Sequence, residues 1–195
     1  MIQIKAVSCY GDLKRFIGLP WEIYKDDQNW VPPLRRQQLK ILQGKNNPLL
    51  ANGEHCFFLA FEGEKIVGRI LVGINQKLNR EKQKNEGFIS LFETIDREEV
   101  AFALFEAATQ WLKAHGITSM VGPVSPTNGD DNRGILIKGF DGSPVLMNAY
   151  NPAYYQGIFE NYGFEKDMDL FAFYLDVNSL DDQRFGRVVA YAMQK

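Results

Sequence analysis

The stretch VAFALFEAATQWLKAHG, residues 100–116, decides the fold. Its apolar members Val100, Ala103, Leu104, Ala107, Ala108, Trp111 and Leu112 fall at i, i+3, i+4, i+7, i+8, i+11 and i+12, which is one face of a helix. Asp96 is placed to cap its start, Glu99 three residues on completes a capping box, and Gly116 stops it. Immediately upstream, GFISLFE (87–93) reads as a strand, and downstream ITSMVGPVSP (117–126) is a short strand running into a loop. Further upstream, HCFFLAFEGEKIVGRILVGIN (55–75) is two strands around the turn Glu62-Gly63-Glu64. Both are nearly continuous apolar runs, as strands central in a sheet are.

Outward from this centre the signals are more varied. IQIKAVS (2–8) alternates like a half-buried strand. In GDLKRFIGLPWEIYKDD (11–27), Asp12 can cap a short helix holding Leu13, Phe16 and Ile17; Pro20 breaks the pattern and Trp21 and Tyr24 restart it. NWVPPL (29–34) is a turn, with Pro32 or Pro33 suited to the first position of a helix over 33–45 that Gly44 closes. QKLNREKQKNEG (76–87) reads as a polar loop carrying Lys77, Arg80, Lys82 and Lys84, with Arg69 upstream grouped with them. PAYYQGIFENYG (152–163) is a helix ended by Gly163, and DLFAFYLDV (169–177) a last strand. The expected order is β-α-α-β-β-β-α-β-α-β, an α/β fold with a mixed, mostly antiparallel sheet flanked by helices. It forms one domain over 1–178. The tail 179–195 either starts a linker helix towards a further domain or packs on another copy.

Composition narrows the classes without naming a function. With 195 residues, 45% hydrophobic and 24% charged, the chain is an ordinary globular one. No apolar run approaches the ~20 residues of a membrane helix, and residues 1–20 hold no apolar h-region, so no secretory signal is expected and the expected location is the cytoplasm. Cys9, Cys56, His55 and His115 are too few for a disulfide framework or a zinc site, and no metal is expected. Lys and Arg exceed Asp and Glu by 14 to 9 over residues 1–86 and trail them by 8 to 15 over 87–195. The basic half is too weakly charged to imply nucleic acid.

The order of elements, together with VGRILVGIN (67–75), ALFEAATQWLKAHG (103–116) and FENYGF (159–164), resembles the GNAT acyltransferase superfamily over residues 2 to about 177. PW, NWVPPL, GPVSPTN and YNPAYY resemble a bacterial GNAT-related group whose members tend to carry a second, similar domain. The resemblance implies acyl transfer from acetyl-CoA or another acyl-CoA to an amine. It places the cofactor near Phe92, Arg97 and Ala101 and a general base at Glu93, which otherwise reads as a strand-end carboxylate facing water or pairing with Arg97. The family's pyrophosphate loop, Arg/Gln-x-x-Gly-x-Gly/Ala, registers on Asp96, Arg97, Glu99 and Ala101, so side chains and carboxylates stand where glycines belong. The usual acid tyrosine registers on Phe159, and Tyr154 or Tyr155 could supply a displaced hydroxyl.

For a substrate, Trp21, Tyr24 and Trp30 can wall a cleft or anchor a core. Asn128 and Asn132, in the turn-rich loop 127–134, can recognise a polar small molecule or simply build a turn. Tyr150, Asn151, Tyr154, Tyr155 and Tyr162 form a further cluster, in which Asn151 and Tyr154 can contact a substrate or the rings can simply pack at a helix start. Two functions stay open: an N-acyltransferase, and a non-catalytic GNAT-like domain that binds a small ligand or serves a partner domain.

Overall fold

A computed structural model describes residues 1–44, 47–51, 53–127, 129, 131–173, 176 and 186. The chain divides into a unit from Met1 to Phe164 and a second from Glu165 to Lys195. In the first unit, five strands form one sheet in the order β1 (Ile2–Ala6), β2 (His55–Glu62), β3 (Lys65–Gly73), β4 (Glu86–Thr94), β5 (Ser119–Val121). Neighbours are antiparallel except β4 and β5, which run parallel. The helix read from 100–116 is α5 (Glu98–Ala114), and it covers one face of the sheet. Val100, Leu104, Ala108 and Leu112 are buried there against Val67, Ile70 and Val72. Gly68 makes the contact close: a Cβ on it would lie 2.8 Å from Leu104 Cδ1. The other face is packed by α1 (Tyr10–Ile23), α2 (Arg35–Leu42) and α3 (Pro48–Ala51) around Phe16, Leu71 and Phe88. Period-two alternation along β3 sends Ile70 to the α5 face and Arg69 and Leu71 to the α1 face.

Several local expectations are corrected. Pro20 does not break α1, which runs unbroken to Ile23, and its N-cap is Cys9 rather than Asp12, with Cys9 Sγ accepting from Asp12 N. A proline deletes one helical hydrogen bond but not the turns on either side, provided the freed carbonyl finds another donor. Residues 76–82 form α4 (Gln76–Lys82) rather than loop: Asn75 Oδ1 caps it through Leu78 N at 3.0 Å, and its residues stay unburied, so no apolar period betrays it. The capping box on α5 is absent: Arg97 is the N-cap residue, and Glu99 pairs with the Arg97 guanidinium instead. The last helix is shorter than read, α6 (Tyr155–Tyr162), closed by Gly163 at φ 104°.

In the second unit, residues 165–173 carry no strand. They hold the pair Lys166–Asp169 at 3.0 Å and the facing rings of Phe171 and Phe173. The remainder of the expected strand at 174–177 and the tail helix lie outside the described residues, apart from positions 176 and 186.

Candidate active site

The site grows from an irregularity in β4. Arg69 pairs with Glu93, but Leu71 pairs with Ser90, so β4 holds one residue more than β3 across that step. Leu91 takes φ 50°, a left-handed conformation costly for a branched side chain, and forms a β-bulge that turns the end of β4. The chain beyond β5 is tied back to this point, with Val124 N donating to Ile89 O at 2.8 Å and Ser90 Oγ to Val124 O at 2.7 Å.

The bulge delivers Glu93 into the interior, its side chain only 13% exposed. One carboxylate oxygen accepts from Tyr24 Oη at 2.9 Å and from Tyr155 Oη at 2.8 Å. The other oxygen lies 3.6 Å from Arg69 Nη2. Arg69 is itself buried: Nη1 donates to Phe16 O at 2.8 Å, and its guanidinium lies 4.9 Å from the Phe16 ring centre. Phe16 O is the carbonyl that residue 20 would occupy in an ordinary helix, and residue 20 is proline. Tyr155 Oη also accepts from Thr94 N at 2.9 Å, and Tyr154 Oη donates to Thr94 O at 2.6 Å.

Burial raises the carboxyl pKa of Glu93 against the pull of Arg69 and the two tyrosines. Burial, and then the nearby Glu93 charge, push the hydroxyls of Tyr24 and Tyr155 well up. Both tyrosines therefore stay protonated and act as donors. Arg69 Nε and Thr94 Oγ1 are buried without a hydrogen-bond partner among the described residues.

Glu93 opens on a cleft of about 220 Å³. Its walls come from Pro20, the loop Trp30–Pro33, the bulge, and the loops around Pro123, Ile135 and Pro144. Trp30 stacks on Tyr24, with centroids 4.9 Å apart and planes at 12°. Across the cleft Asn151 clamps the chain, its Oδ1 accepting from Leu136 N at 2.6 Å and its Nδ2 donating to Leu136 O. Tyr150 donates to Asp27 at 2.7 Å, which joins the two loop layers, and burial raises its pKa to about 12.

The expected site residues thus separate. Glu93, Tyr24, Tyr154 and Tyr155 meet around one carboxylate and the adjoining Thr94 backbone. Phe92, Asn132 and Asn151 line the same cleft, with Phe92 also stacked on Phe105 and Asn132 held by Met147 O. Trp21 stands behind the wall, edge-on to Trp30 with Arg35 over its face. Asn128 lies outside the described residues. Arg97 does not pair with Glu93: it binds Glu62 at 2.7 Å and Glu99, on the surface. Ala101 is fully buried in the core under α5. Arg69, grouped above with the basic loop, is the residue the sequence reading missed. Its signal was a lone charge inside the apolar run VGRILVG.

At the start of α5, Glu98 accepts from Asn161, Glu99 holds Arg97, and no glycine opens the backbone. These residues do not fit a diphosphate in the way a glycine-rich helix start does. Among the described residues, no group of three His, Cys, Asp or Glu could hold a metal ion, and no helix is long and apolar enough to cross a membrane.

A bulged mixed sheet with α5 and α6 on one face and α1, α2 and α3 on the other is the fold of the GNAT acetyltransferases. It superposes on an aminoglycoside acetyltransferase from an uncultured soil metagenomic sample, solved with trehalose, at TM-score 0.53 and 16% identity, covering 90% of this chain and 96% of that one. The aminoglycoside N-acetyltransferase AAC(6')-Iy in complex with CoA gives 0.51 at 15% identity, covering 91% and 95%. No family model matches the chain. In sequence it is similar to protein YghO of Escherichia coli, 36% identical over 174 residues, and to the bacterial ceramide synthase of Caulobacter vibrioides, 34% identical over 176 residues. Those stretches are 87% and 90% of this chain but 43% and 46% of the relatives, so the chain spans less than half the length of either.

Proposed function

We propose that this chain carries an N-acyltransferase site in which Glu93 is the general base for an amine with an apolar body. The observation that carries the reading is the buried Glu93 carboxylate, raised in pKa and opening on the cleft. An amine arrives as ammonium and cannot attack a carbonyl until it loses a proton; a carboxylate of raised pKa is the better acceptor for it. The neutral nitrogen then forms the amide bond to the acyl carbon, and its remaining surplus proton leaves with the displaced group. Tyr24 and Tyr155 hold the carboxylate in place through their donated hydrogen bonds. In this reading Tyr155 is a positioning residue rather than the acid, since its hydrogen bonds to Glu93 and Thr94 N engage its hydroxyl. Trp30, with Tyr24 behind it, and Asn132 border the acceptor.

The nature of the acceptor follows from the walls. Glu93 and Arg69 are the only charged side chains among the described residues lining the cleft, and they balance one another. A polycation such as an aminoglycoside needs several carboxylates. Prolines, Trp30, Val31, Val124 and Ile135 suit a hydrocarbon body, and Leu34, Val145 and Leu146 stand exposed beside the lining residues. The name of the ceramide synthase relative agrees with this, because a ceramide is an N-acylated long-chain amine. An acyl-CoA is the donor this fold commonly serves, as the CoA complex of its structural neighbour illustrates. Here the acidic start of α5 favours a second reading, a GNAT-like domain that binds a ligand without catalysis.

Both readings meet the same experiment. The protein is incubated with acetyl-CoA or a long-chain acyl-CoA and either sphinganine or kanamycin, and thiol release is followed. Release with sphinganine, lowered about a hundredfold or more in Glu93→Gln, supports the proposal. Absence of both release and calorimetric CoA binding selects the non-catalytic reading.

A further inference from the structure

Resting on the reading of Glu93 as base, we propose that Arg69 is a positioning residue for it and that Pro20 sets the position of Arg69. Three observations link them. Pro20 lies inside α1 and offers no N–H, so Phe16 O loses its i+4 partner. A proline ring inside a helix clashes with the carbonyl four residues back, which favours a partner for that carbonyl from outside the helix. Arg69 Nη1 takes it at 2.8 Å, with the guanidinium over the Phe16 ring. Meanwhile the helix is not lost, because Pro20 O still accepts from Tyr24 N at 2.9 Å, and Tyr24 is the residue that donates to Glu93. The proline thus frees the carbonyl that Arg69 takes, and leaves intact the turn that carries Tyr24.

The geometry of Arg69 makes this more than packing. Nη1 faces Phe16 O and Nη2 faces Glu93 at 3.6 Å, so the guanidinium is held back from a close bidentate pair. A tight fork would pin the carboxylate in its charged form and weaken it as a base. A guanidinium shared with a backbone carbonyl keeps the charge near enough to offset burial and far enough to leave the carboxylate basic. The groups facing Glu93 are Arg69 from β3, Tyr24 from the end of α1 and Tyr155 from α6; Tyr154 is one step away, on Thr94 O.

The test reads Glu93 directly and needs no substrate. The side-chain carboxyl of Glu93 is followed by carbon-13 NMR through a pH titration of the full chain, assigned by Glu93→Gln. In Pro20→Ala the new amide competes with Arg69 for Phe16 O. Arg69 then loses its anchor, and the Glu93 midpoint moves by about 0.5 unit or more. Arg69→Lys keeps a cation but lacks the second arm, so its midpoint departs from wild type and adding Pro20→Ala changes it no further. A Pro20→Ala midpoint equal to wild type in a folded protein overturns the proposal. So does a double variant whose shift is the sum of the singles. If the midpoints move as expected while no acyl transfer is found, the positioning stands and the assignment of Glu93 as base fails.

Discussion

Two groupings of arginine with glutamate lie close together in the chain and behave oppositely. Arg69 and Glu93 face each other in the interior, joined by two tyrosines and a backbone carbonyl. Arg97 binds Glu62 and Glu99 at the surface, at the start of α5. The surface set has the shorter ion contacts, yet water and salt screen it. The interior set is more loosely paired, and each member depends on the others because burial removes most of the water that would otherwise solvate it. Ion-pair distance therefore does not rank the two sets: the buried, longer pair belongs to the hydrogen-bonded network around Glu93, and the exposed, shorter one sits at a helix start.

The sharpest way to break the comparison is to delete each acid in turn. Glu93→Ala leaves Arg69 buried without its counter-charge and two hydroxyls without their acceptor. It should cost about 3–5 kcal/mol in urea unfolding, whereas Glu62→Ala should barely move the midpoint. Equal losses would mean that the interior set is no more coupled than the surface one. Next in size is Tyr155→Phe, which removes the acceptor of the buried Thr94 N as well as a donor to Glu93. About 1–3 kcal/mol is expected from the stranded amide, together with a raised Glu93 midpoint.

The pH dependence sharpens the contrast further, with the signs opposed. The folded-state pKa of Glu93 lies above its unfolded value because of burial. Its stabilising contribution is therefore fully present below the unfolded pKa and is lost as pH rises through the folded one. Glu62 and Glu99 are lowered by Arg97, so whatever they contribute is lost as pH falls through their folded pKa values. Comparing wild type with Glu93→Gln by thermal melts across pH 4 to 8 should show their stability difference shifting against the wild type as pH rises. Acyl transfer, on the proposed reading, falls on the acid side at a pH above the ordinary carboxylate range.

The same contrast explains what was legible in the sequence. The centre of the fold was readable because α5 and strands β2, β3 and β4 bury continuous or periodic apolar faces, and burial leaves a pattern. α4 was not, because a capped polar helix buries nothing. Glu93, Tyr24 and the Tyr154–Tyr155 pair were singled out from the sequence, but not their meeting at one carboxylate. That meeting depends on a bulge at Leu91, a residue type that does not advertise a left-handed backbone. The rule that makes Pro20 a breaker is local, whereas the donor that rescues the helix comes from 53 residues away. Arg69 follows the same logic: a charge in a central strand has meaning only once its partners across the sheet are known.

The smallest expected effect concerns Arg97 and the acids around it. Arg97→Ala should leave the melting temperature unresolved from wild type at physiological salt, since its partners are exposed and screened. Its consequence is instead for anions at the start of α5. Glu98 and Glu99 occupy the first turn, where a diphosphate would need the backbone amides and the positive end of the helix. If those carboxylates are what keeps a nucleotide diphosphate away, Glu98→Gln with Glu99→Gln should tighten CoA several-fold in calorimetry. The gain should shrink as salt is raised from low to physiological concentration. Arg97 loses one of its two carboxylate partners in the same variant while Glu62 still holds it, so less negative charge offsets it and both changes act in one direction. An affinity that is unchanged and independent of salt would show that the surface set plays no part in donor binding.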